Sequence, residues 1–203
     1  MPIDRSAPVA GIVLAAGTST RMGRNKLFFE LEGETILRRA VGTAAAAGLD
    51  PVLVVLGHEA DRARRELTGL PCQPVLNPDY ARGQNTSLRA GVAAVPARAA
   101  AAVVTLADMP FVSATMIATA VERYRERGPR LVVSDYEGVA APPTLYDRTL
   151  FAEVLALDGE ECGRHVVKRH RAETLAVSWP AAALADLDVP DDYERAKTRV
   201  RVP

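Results

Sequence analysis

Residues 9–26 read VAGIVLAAGTSTRMGRNK, and in them a short apolar run passes directly into a loop of glycine and small polar residues. The run Val9–Leu14 has the length and the β-branched content of a strand that is buried on both faces. In the loop Leu14–Lys26, the small side chains and Gly17 let backbone N–H groups approach an anionic ligand closely. This stretch therefore predicts a buried strand followed by a phosphate-binding loop.

Two cations of this loop, Arg21 and Lys26, add the positive charge that a triphosphate requires. The loop matches neither standard phosphate-binding motif. Lys26 is not flanked by Gly and by Ser or Thr, and Gly17 and Gly23 do not complete a GxGxxG spacing. The pattern disfavours P-loop enzymes and NAD(P)-dependent enzymes. Taken alone, the loop also fits a solvated connection between a strand and a helix.

Further runs of Val, Ile and Leu follow along the chain, separated by longer Ala-rich amphipathic stretches. The predicted strands are Pro51–Leu56, Ala102–Leu106 and Leu131–Ser134, with a shorter one at Pro74–Leu76. This alternation is typical of βαβ units around a largely parallel sheet, and it predicts an α/β fold. A length of 203 residues suits one domain with one core.

Helices are predicted from apolar spacing and end signals. They run from Thr35 to a stop at Gly48, over about 58–67, from about Thr86, and from an N-cap at Ser113 to Arg127, where Gly128 follows.

Composition limits the classes of partner. The 25 Lys and Arg residues balance the 25 Asp and Glu residues, so no global field attracts nucleic acid or an anionic membrane. The first apolar run is too short to cross a bilayer, and no signal peptide pattern precedes it. We expect a cytoplasmic protein that binds neither nucleic acid nor membrane.

Two other loops carry polar groups where predicted strands and helices meet. Asp108, in LADMP, follows a strand directly, and from there a carboxylate can bind Mg²⁺; its alternative role is a turn cap. In GQNTSLRAG, Asn85 and Ser87 lie near a helix N-terminus and could contact a base or ribose. The alternative there is a simple N-cap by Asn85 or Thr86. Ligands of open α/β sheets bind beyond the strand carboxyl ends, where these loops lie.

Taken in order, LAAGTSTRMGRNK, GHEAD, GQNTSLRAG, LADMP and DLDVPDDYERA resemble the MobA-like nucleotidyltransferases, most closely the molybdenum cofactor cytidylyltransferases. The motifs span nearly the whole chain. The resemblance implies a three-layer α/β/α, Rossmann-like nucleotidyltransferase fold with a mostly parallel central sheet. It implies a single domain over residues 1–203, with a nucleotide-binding half at about 8–110 and an acceptor-binding half at about 111–203.

The resemblance also assigns roles to residues. Catalytic roles fall to Arg21, Lys26 and Asp108, and Mg²⁺ to Asp108 with Asp186 or Asp188. Ala16 stands where the guanylyl branch tends to have glycine, which favours CTP. The implied nucleotide-binding residues are Leu14, Ala15, Ala16, Gly17, Arg21, Lys26, Asn85 and Ser87.

The implied reaction moves CMP from CTP to the phosphate of molybdopterin or molybdenum cofactor and releases pyrophosphate, and a molybdoenzyme would receive the product. Two segments depart from the family pattern: AAPPTLY replaces GNPVLF or GHPVLF, and GEECGR replaces GDxGAR. Pro142 removes a polar side chain and a backbone donor. GTP, another phosphorylated acceptor such as a sugar phosphate or cofactor precursor, or a non-catalytic nucleotide-binding chaperone for a molybdoenzyme are therefore alternatives.

Overall fold

A computed structural model describes residues 4–19, 23–157, 163–185, 187 and 190–200. The strands are β1 Val9–Ala15, β2 Glu30–Leu31, β3 Glu34–Thr35, β4 Val52–Leu56, β5 Gln73–Leu76, β6 Ala101–Leu106, β7 Leu131–Tyr136, β8 Val139–Asp147 and β9 Thr174–Trp179. The α-helices are α1 Ile36–Ala46, α2 Ala60–Glu66, α3 Gln84–Ala93, α4 Ala114–Arg127, α5 Phe151–Leu155, α6 Arg164–Arg169 and α7 Pro190–Val200.

One sheet organises the described chain, with seven strands in the order β5-β4-β1-β6-β8-β7-β9. All neighbouring pairs are parallel except those of β8, which runs antiparallel to both β6 and β7. The carboxyl ends of β1, β4, β5 and β6 therefore meet at one edge. The strands β2 and β3 form a separate small hairpin. This architecture confirms the predicted α/β class and the mostly parallel sheet.

Helices cover both faces of the sheet, which gives three layers. On one face, Leu37 and Val41 of α1 and Ile117 of α4 pack against the strands. On the other face, Leu88 of α3 and Val154 of α5 do so. Burying each such side chain contributes about 1.5–3 kcal/mol. Within the described residues, no helix combines the length and apolarity that a membrane span requires.

The predicted signals fix the ends of two helices. The Thr35 hydroxyl accepts a hydrogen bond from Arg38 N at 3.3 Å and begins α1. The Ser113 hydroxyl accepts from Met116 N at 3.2 Å and begins α4. Gly128 ends α4 in the left-handed region, at φ +66°, which glycine adopts without steric cost. Both predictions are confirmed.

Two predicted helices begin elsewhere. The helix expected over about 58–67 spans Ala60–Glu66, and the helix expected from Thr86 begins at Gln84. Gly83, at φ +116°, is the N-cap of α3, with no side-chain cap bond. The alternative role of Asn85 or Thr86 as N-cap is therefore wrong, because both lie inside the first turn of the helix.

Two strands of the sheet, β8 and β9, are absent from the prediction. The β8 strand contains Pro142 and Pro143, which remove two backbone donors and so obscure a strand pattern. The sheet tolerates them because its register with β7 shifts between Val133 and Ser134, and prolines are found at such irregularities. The β9 strand lies at the sheet edge and pairs only with β7 in the described chain.

Gly91 sits where α3 packs closely on the sheet. A Cβ atom there would overlap Ile12 Cγ2 and approach Val55 Cγ2 to 3.1 Å. We expect Gly91→Ala to lower the free energy of unfolding by about 1–2 kcal/mol, since overpacking outweighs the helix propensity gain of about 0.5–1 kcal/mol. Urea unfolding measures it. The control is Gly42→Ala in α1, where a Cβ meets nothing within 4 Å; it should stabilise the protein. Equal effects at both positions would contradict the packing argument.

Candidate functional site

Main-chain hydrogen bonds join the carboxyl ends of the central strands. Ala107 N donates to Leu14 O at 3.0 Å, His58 N donates to Ala16 O at 3.3 Å, and Asn77 N donates to Leu56 O at 2.8 Å. These bonds hold the loops after β1, β4, β5 and β6 beside one another. The predicted edge of the sheet is thus a connected set of loops.

A cleft opens at this edge, between the loop after β1, the turn after β5, the start of α3 and the end of β6. Its lining residues are Leu14, Ala15, Ala16, Gly17, Ser19, Lys26, Leu27, Tyr80, Gln84, Ser87, Leu106 and Asp108.

Lys26 and Asp108 form the charged centre of this cleft. Lys26 Nζ lies 2.6 Å from Asp108 Oδ2, and the side chains are 13% and 24% exposed. The loop after β1 and the end of β6 are thereby linked by a charge-assisted contact. The main chain of Asp108 holds a third segment, because Leu187 N donates to its carbonyl at 3.2 Å. The cleft therefore contains both a positively charged hydrogen-bond donor, Lys26, and a carboxylate that could bind a cation, Asp108.

The buried Asn25 side chain fixes the end of the loop that carries Lys26. Asn25 Oδ1 accepts from Leu27 N at 3.2 Å, and Lys26 N donates to Ser19 Oγ at 3.2 Å. Asn25 is 5% exposed and caps a short 3₁₀ turn at Lys26–Phe28. This capping fixes the Lys26 backbone in the position from which its side chain reaches Asp108.

In the GHEAD motif, the backbone of Gly57 lies very close to two side chains from other segments. A Cβ on Gly57 would lie 2.5 Å from Tyr80 Cβ and 2.9 Å from Ala16 Cβ. Tyr80 and Ala16 can therefore both pack against this position only because it is glycine. His58, which follows, is 39% exposed on its side chain, and its ring lies 6.2 Å from that of Tyr80.

Farther along the same edge, β7 and β8 form the region of the departing AAPPTLY segment. The Tyr136 hydroxyl donates to Pro142 O at 2.8 Å, and the Ser134 hydroxyl donates to Pro143 O at 3.0 Å. Both proline carbonyls thus already accept hydrogen bonds from protein side chains, and neither proline has a backbone N–H.

The structure places several predicted residues together at the cleft: Leu14, Ala15, Ala16, Gly17, Lys26, Ser87 and Asp108. Asn85 is 3% exposed on α3 and is not among the residues that line it. Arg21, Asp186 and Asp188 lie outside the described residues. Sequence reasoning missed Tyr80, whose signal was its place in the turn NPDYARG after a predicted strand.

The donor set available to a divalent cation is small. In the part of the chain that the structure describes, no group of three or more His, Cys, Asp or Glu residues could hold a metal. Among the described residues that line the cleft, Asp108 is the one with a carboxylate. Because Mg²⁺ is often held by one or two carboxylates together with substrate phosphates, this donor fits a cation shared with a phosphorylated ligand.

Comparison with known proteins yields a consistent set of relatives. A family model described as MobA-like NTP transferase domain matches residues 11–174. Purine catabolism protein PucB of Bacillus subtilis is 32% identical over 95% of this chain and 98% of that protein. A probable molybdenum cofactor guanylyltransferase of Opitutus terrae is 30% identical over 70% of this chain and 67% of that protein.

A solved structure shares the fold over nearly its whole length. Rv0371c from Mycobacterium tuberculosis H37Rv has a TM-score of 0.82 at 27% identity, covering 94% of this chain and 98% of that one. The same protein has a structure in complex with manganese, with a TM-score of 0.78 at 26% identity and the same coverage.

Proposed function

We propose, since this chain belongs to the family of MobA-like NTP transferase domains, that it transfers CMP from CTP to the phosphate of molybdopterin or molybdenum cofactor and releases pyrophosphate. Nucleotidyl transfer is the chemistry that the family supports. The observation that carries the proposal is the meeting of Lys26, Asp108 and the small-residue loop after β1 in one cleft. The reaction would take place in the cytoplasm, and a molybdoenzyme would receive the product.

The reaction needs little covalent chemistry from the protein. An oxygen of the acceptor phosphate forms a bond to the α-phosphorus of CTP, and the bond from that phosphorus to the β-phosphate oxygen breaks. A phosphomonoester has a second pKa of about 6, so the acceptor is already largely a dianion at neutral pH and requires no general base. Positioning and charge neutralisation supply the catalysis.

Lys26 and Arg21 are assigned to the phosphates. Lys26 reaches the cleft from a capped backbone, so its ammonium can donate to phosphate oxygens as charge develops on the leaving pyrophosphate. The small side chains of Ala15, Ala16 and Gly17 leave room for backbone N–H groups to approach the same anion. Arg21, on the same loop, would add a second cation.

Asp108 is assigned to Mg²⁺, with Asp186 or Asp188 as its partner. Support comes from Leu187, which donates to the Asp108 carbonyl and is joined by one peptide bond to each candidate. The manganese complex of the related Mycobacterium tuberculosis protein also supports a divalent cation. When bound, Mg²⁺ would neutralise negative charge on the triphosphate.

Ala16 supports CTP over GTP. Its methyl group lines the cleft and packs beside Gly57 and Tyr80, so it takes up space that a glycine would leave open. A cleft narrowed in this way would suit a pyrimidine base better than the larger purine base. Ser87, which lines the cleft, is proposed to contact the nucleoside from α3. This would place the nucleotide in the half spanning about residues 8–110.

A second candidate changes the acceptor, within the half at about 111–203. In AAPPTLY, the carbonyls of Pro142 and Pro143 are already hydrogen-bonded and neither proline has a backbone N–H to donate, so these two positions offer a pterin few polar contacts. A sugar phosphate or another cofactor precursor would then replace molybdopterin. The guanylyltransferase relative supports GTP as the alternative nucleotide.

The decisive experiment measures Mg²⁺-dependent pyrophosphate release from CTP, GTP and ATP, with molybdopterin or its molybdenum-loaded form as acceptor. We expect release that is selective for CTP and requires the acceptor. Release from CTP only with a different phosphorylated acceptor would support the second candidate. Nucleotide binding without release under any acceptor would instead indicate a binding protein for a molybdoenzyme.

A further inference from the structure

Asn77 lies behind the cleft, at the end of β5, and the proposed mechanism gives it no role. It is 3% exposed, and its side chain makes three hydrogen bonds. Its Nδ2 donates to Thr86 Oγ1 at 2.8 Å and to Ser87 Oγ at 3.0 Å, while its Oδ1 accepts from Asp79 N at 3.0 Å. A single buried amide therefore connects the turn after β5 to the first turn of α3.

The orientation of this amide is determined by its partners. A backbone N–H can only donate, so the atom facing Asp79 N must be the carbonyl oxygen of Asn77. The amide nitrogen then faces α3, where it donates both of its protons. The alternative amide flip would place two donors against each other at Asp79.

This orientation sets the polarity of Ser87. A hydroxyl group has one proton to donate and two lone pairs to accept with, and Asn77 occupies one lone pair of Ser87 Oγ. The neighbouring Thr86 hydroxyl already has acceptors, at Gly83 O and Asp79 O. For Ser87, which lines the cleft, the described residues show no protein acceptor for its proton.

We infer that Asn77 is a positioning residue that makes Ser87 a hydrogen-bond donor towards the bound nucleotide. The inference rests on the proposed function, which assigns Ser87 to the nucleoside. Its ligand atom must then be an acceptor, such as a carbonyl oxygen or a ring nitrogen of the base. Asn77 acts entirely through Ser87 and does not line the cleft itself.

The test is Asn77→Asp, which keeps the shape of the side chain and replaces the donating amide nitrogen with an oxygen that accepts hydrogen bonds. The carboxylate still accepts from Asp79 N, but it would also accept the Ser87 proton and turn that proton away from the cleft. We expect CTP to bind about 10- to 100-fold more weakly, as measured by calorimetry on the full chain. In a Ser87→Ala background, Asn77→Asp should cause no further loss.

Protonation offers a readout that a purely structural role would not change. Burial raises the pKa of a carboxyl group, and its protonated form keeps an acceptor oxygen for Asp79 N and regains one proton to donate towards α3, where the amide has two. Below that raised pKa, the acid would again donate to Ser87. Relative to the unmodified protein at each pH, CTP binding by Asn77→Asp should therefore recover as the pH falls, whereas Ser87→Ala should not recover.

The matched control is Thr86→Val, which removes the other acceptor of the same amide and leaves Ser87 in place. It should change CTP affinity less than about twofold, whatever its effect on stability in urea. If Ser87→Ala weakens binding but Asn77→Asp does not, the inference is wrong and the proposed function stands. If Ser87→Ala has no effect, or the unmodified protein binds neither CTP nor GTP, the proposed nucleoside site itself is wrong.

Discussion

Asp108→Ala is expected to lower pyrophosphate release by about 10³-fold or more while the protein remains folded, because loss of a charge-neutralising group costs on that order in phosphoryl transfer. The carboxylate lies just after β6, lines the cleft and is 24% exposed, so its removal should leave the packing of the core intact. The hydrogen bond from Leu187 uses the Asp108 carbonyl and survives the substitution. The loss should appear in kcat, since the carboxylate acts on charge that develops during transfer.

Steady-state kinetics with varied Mg²⁺ and urea unfolding together check this result. The matched control is Asp50→Ala, which also breaks a carboxylate ion pair, with Arg98 at 3.2 Å. Asp50 and Arg98 precede β4 and β6, so they lie at the opposite edge of the sheet from the cleft. That variant should keep full activity. An active Asp108→Ala protein would rule out the proposed metal assignment.

The parts of the fold that follow from the sequence are those with local causes. The strand Val9–Ala15 is a continuous apolar run of strand length. The run itself therefore identifies the strand, without knowledge of the strands that pair with it. The caps at Thr35 and Ser113 act within three residues, so the sequence alone locates those helix starts. The same holds for Gly128, whose left-handed backbone ends α4.

Other parts depend on contacts between distant segments. The β8 strand is a strand because it inserts antiparallel between β6 and β7, and the prolines within it conceal this from any local pattern. Tyr80 enters the cleft because Gly57, far back along the chain, leaves room for its ring. Helix α3 begins two residues before its predicted start because Gly83, its N-cap, can adopt a positive φ. Asn85 and Thr86 therefore lie inside the helix and not at its cap.

The candidate site combines both kinds of information. Separate motifs predict Lys26 as a phosphate ligand and Asp108 as a Mg²⁺ ligand, and the parallel sheet explains why the strand ends that carry them meet although they are far apart in sequence. Asn77 begins the turn NPDYARG, and nothing in that turn signals a role for its side chain. Its function as a bridge to Ser87 depends on the distance between β5 and α3, which no sequence spacing encodes.

Lys26→Met is expected to reduce kcat for pyrophosphate release by about 10²- to 10³-fold, the usual loss when one preorganised donor to a developing negative charge is removed. Methionine keeps an unbranched side chain of similar length, so packing along the loop is largely retained. Asp108 would lose its partner at 2.6 Å, but it is exposed enough to be solvated, so the fold should survive. Arg21 remains on the same loop, and residual activity should therefore exceed that of Asp108→Ala.

The split between kcat and KM distinguishes a catalytic role of Lys26 from simple attraction of an anion. If Lys26 stabilises charge that appears only during transfer, kcat falls and KM for CTP changes little. The control is Lys197→Met on α7, which breaks a lysine–carboxylate pair with Glu194 at 3.0 Å and should leave kinetics unchanged. A Lys26→Met protein with normal kcat and a raised KM would show that Lys26 binds the triphosphate equally in the ground state and the transition state, and the catalytic assignment would then pass to Arg21.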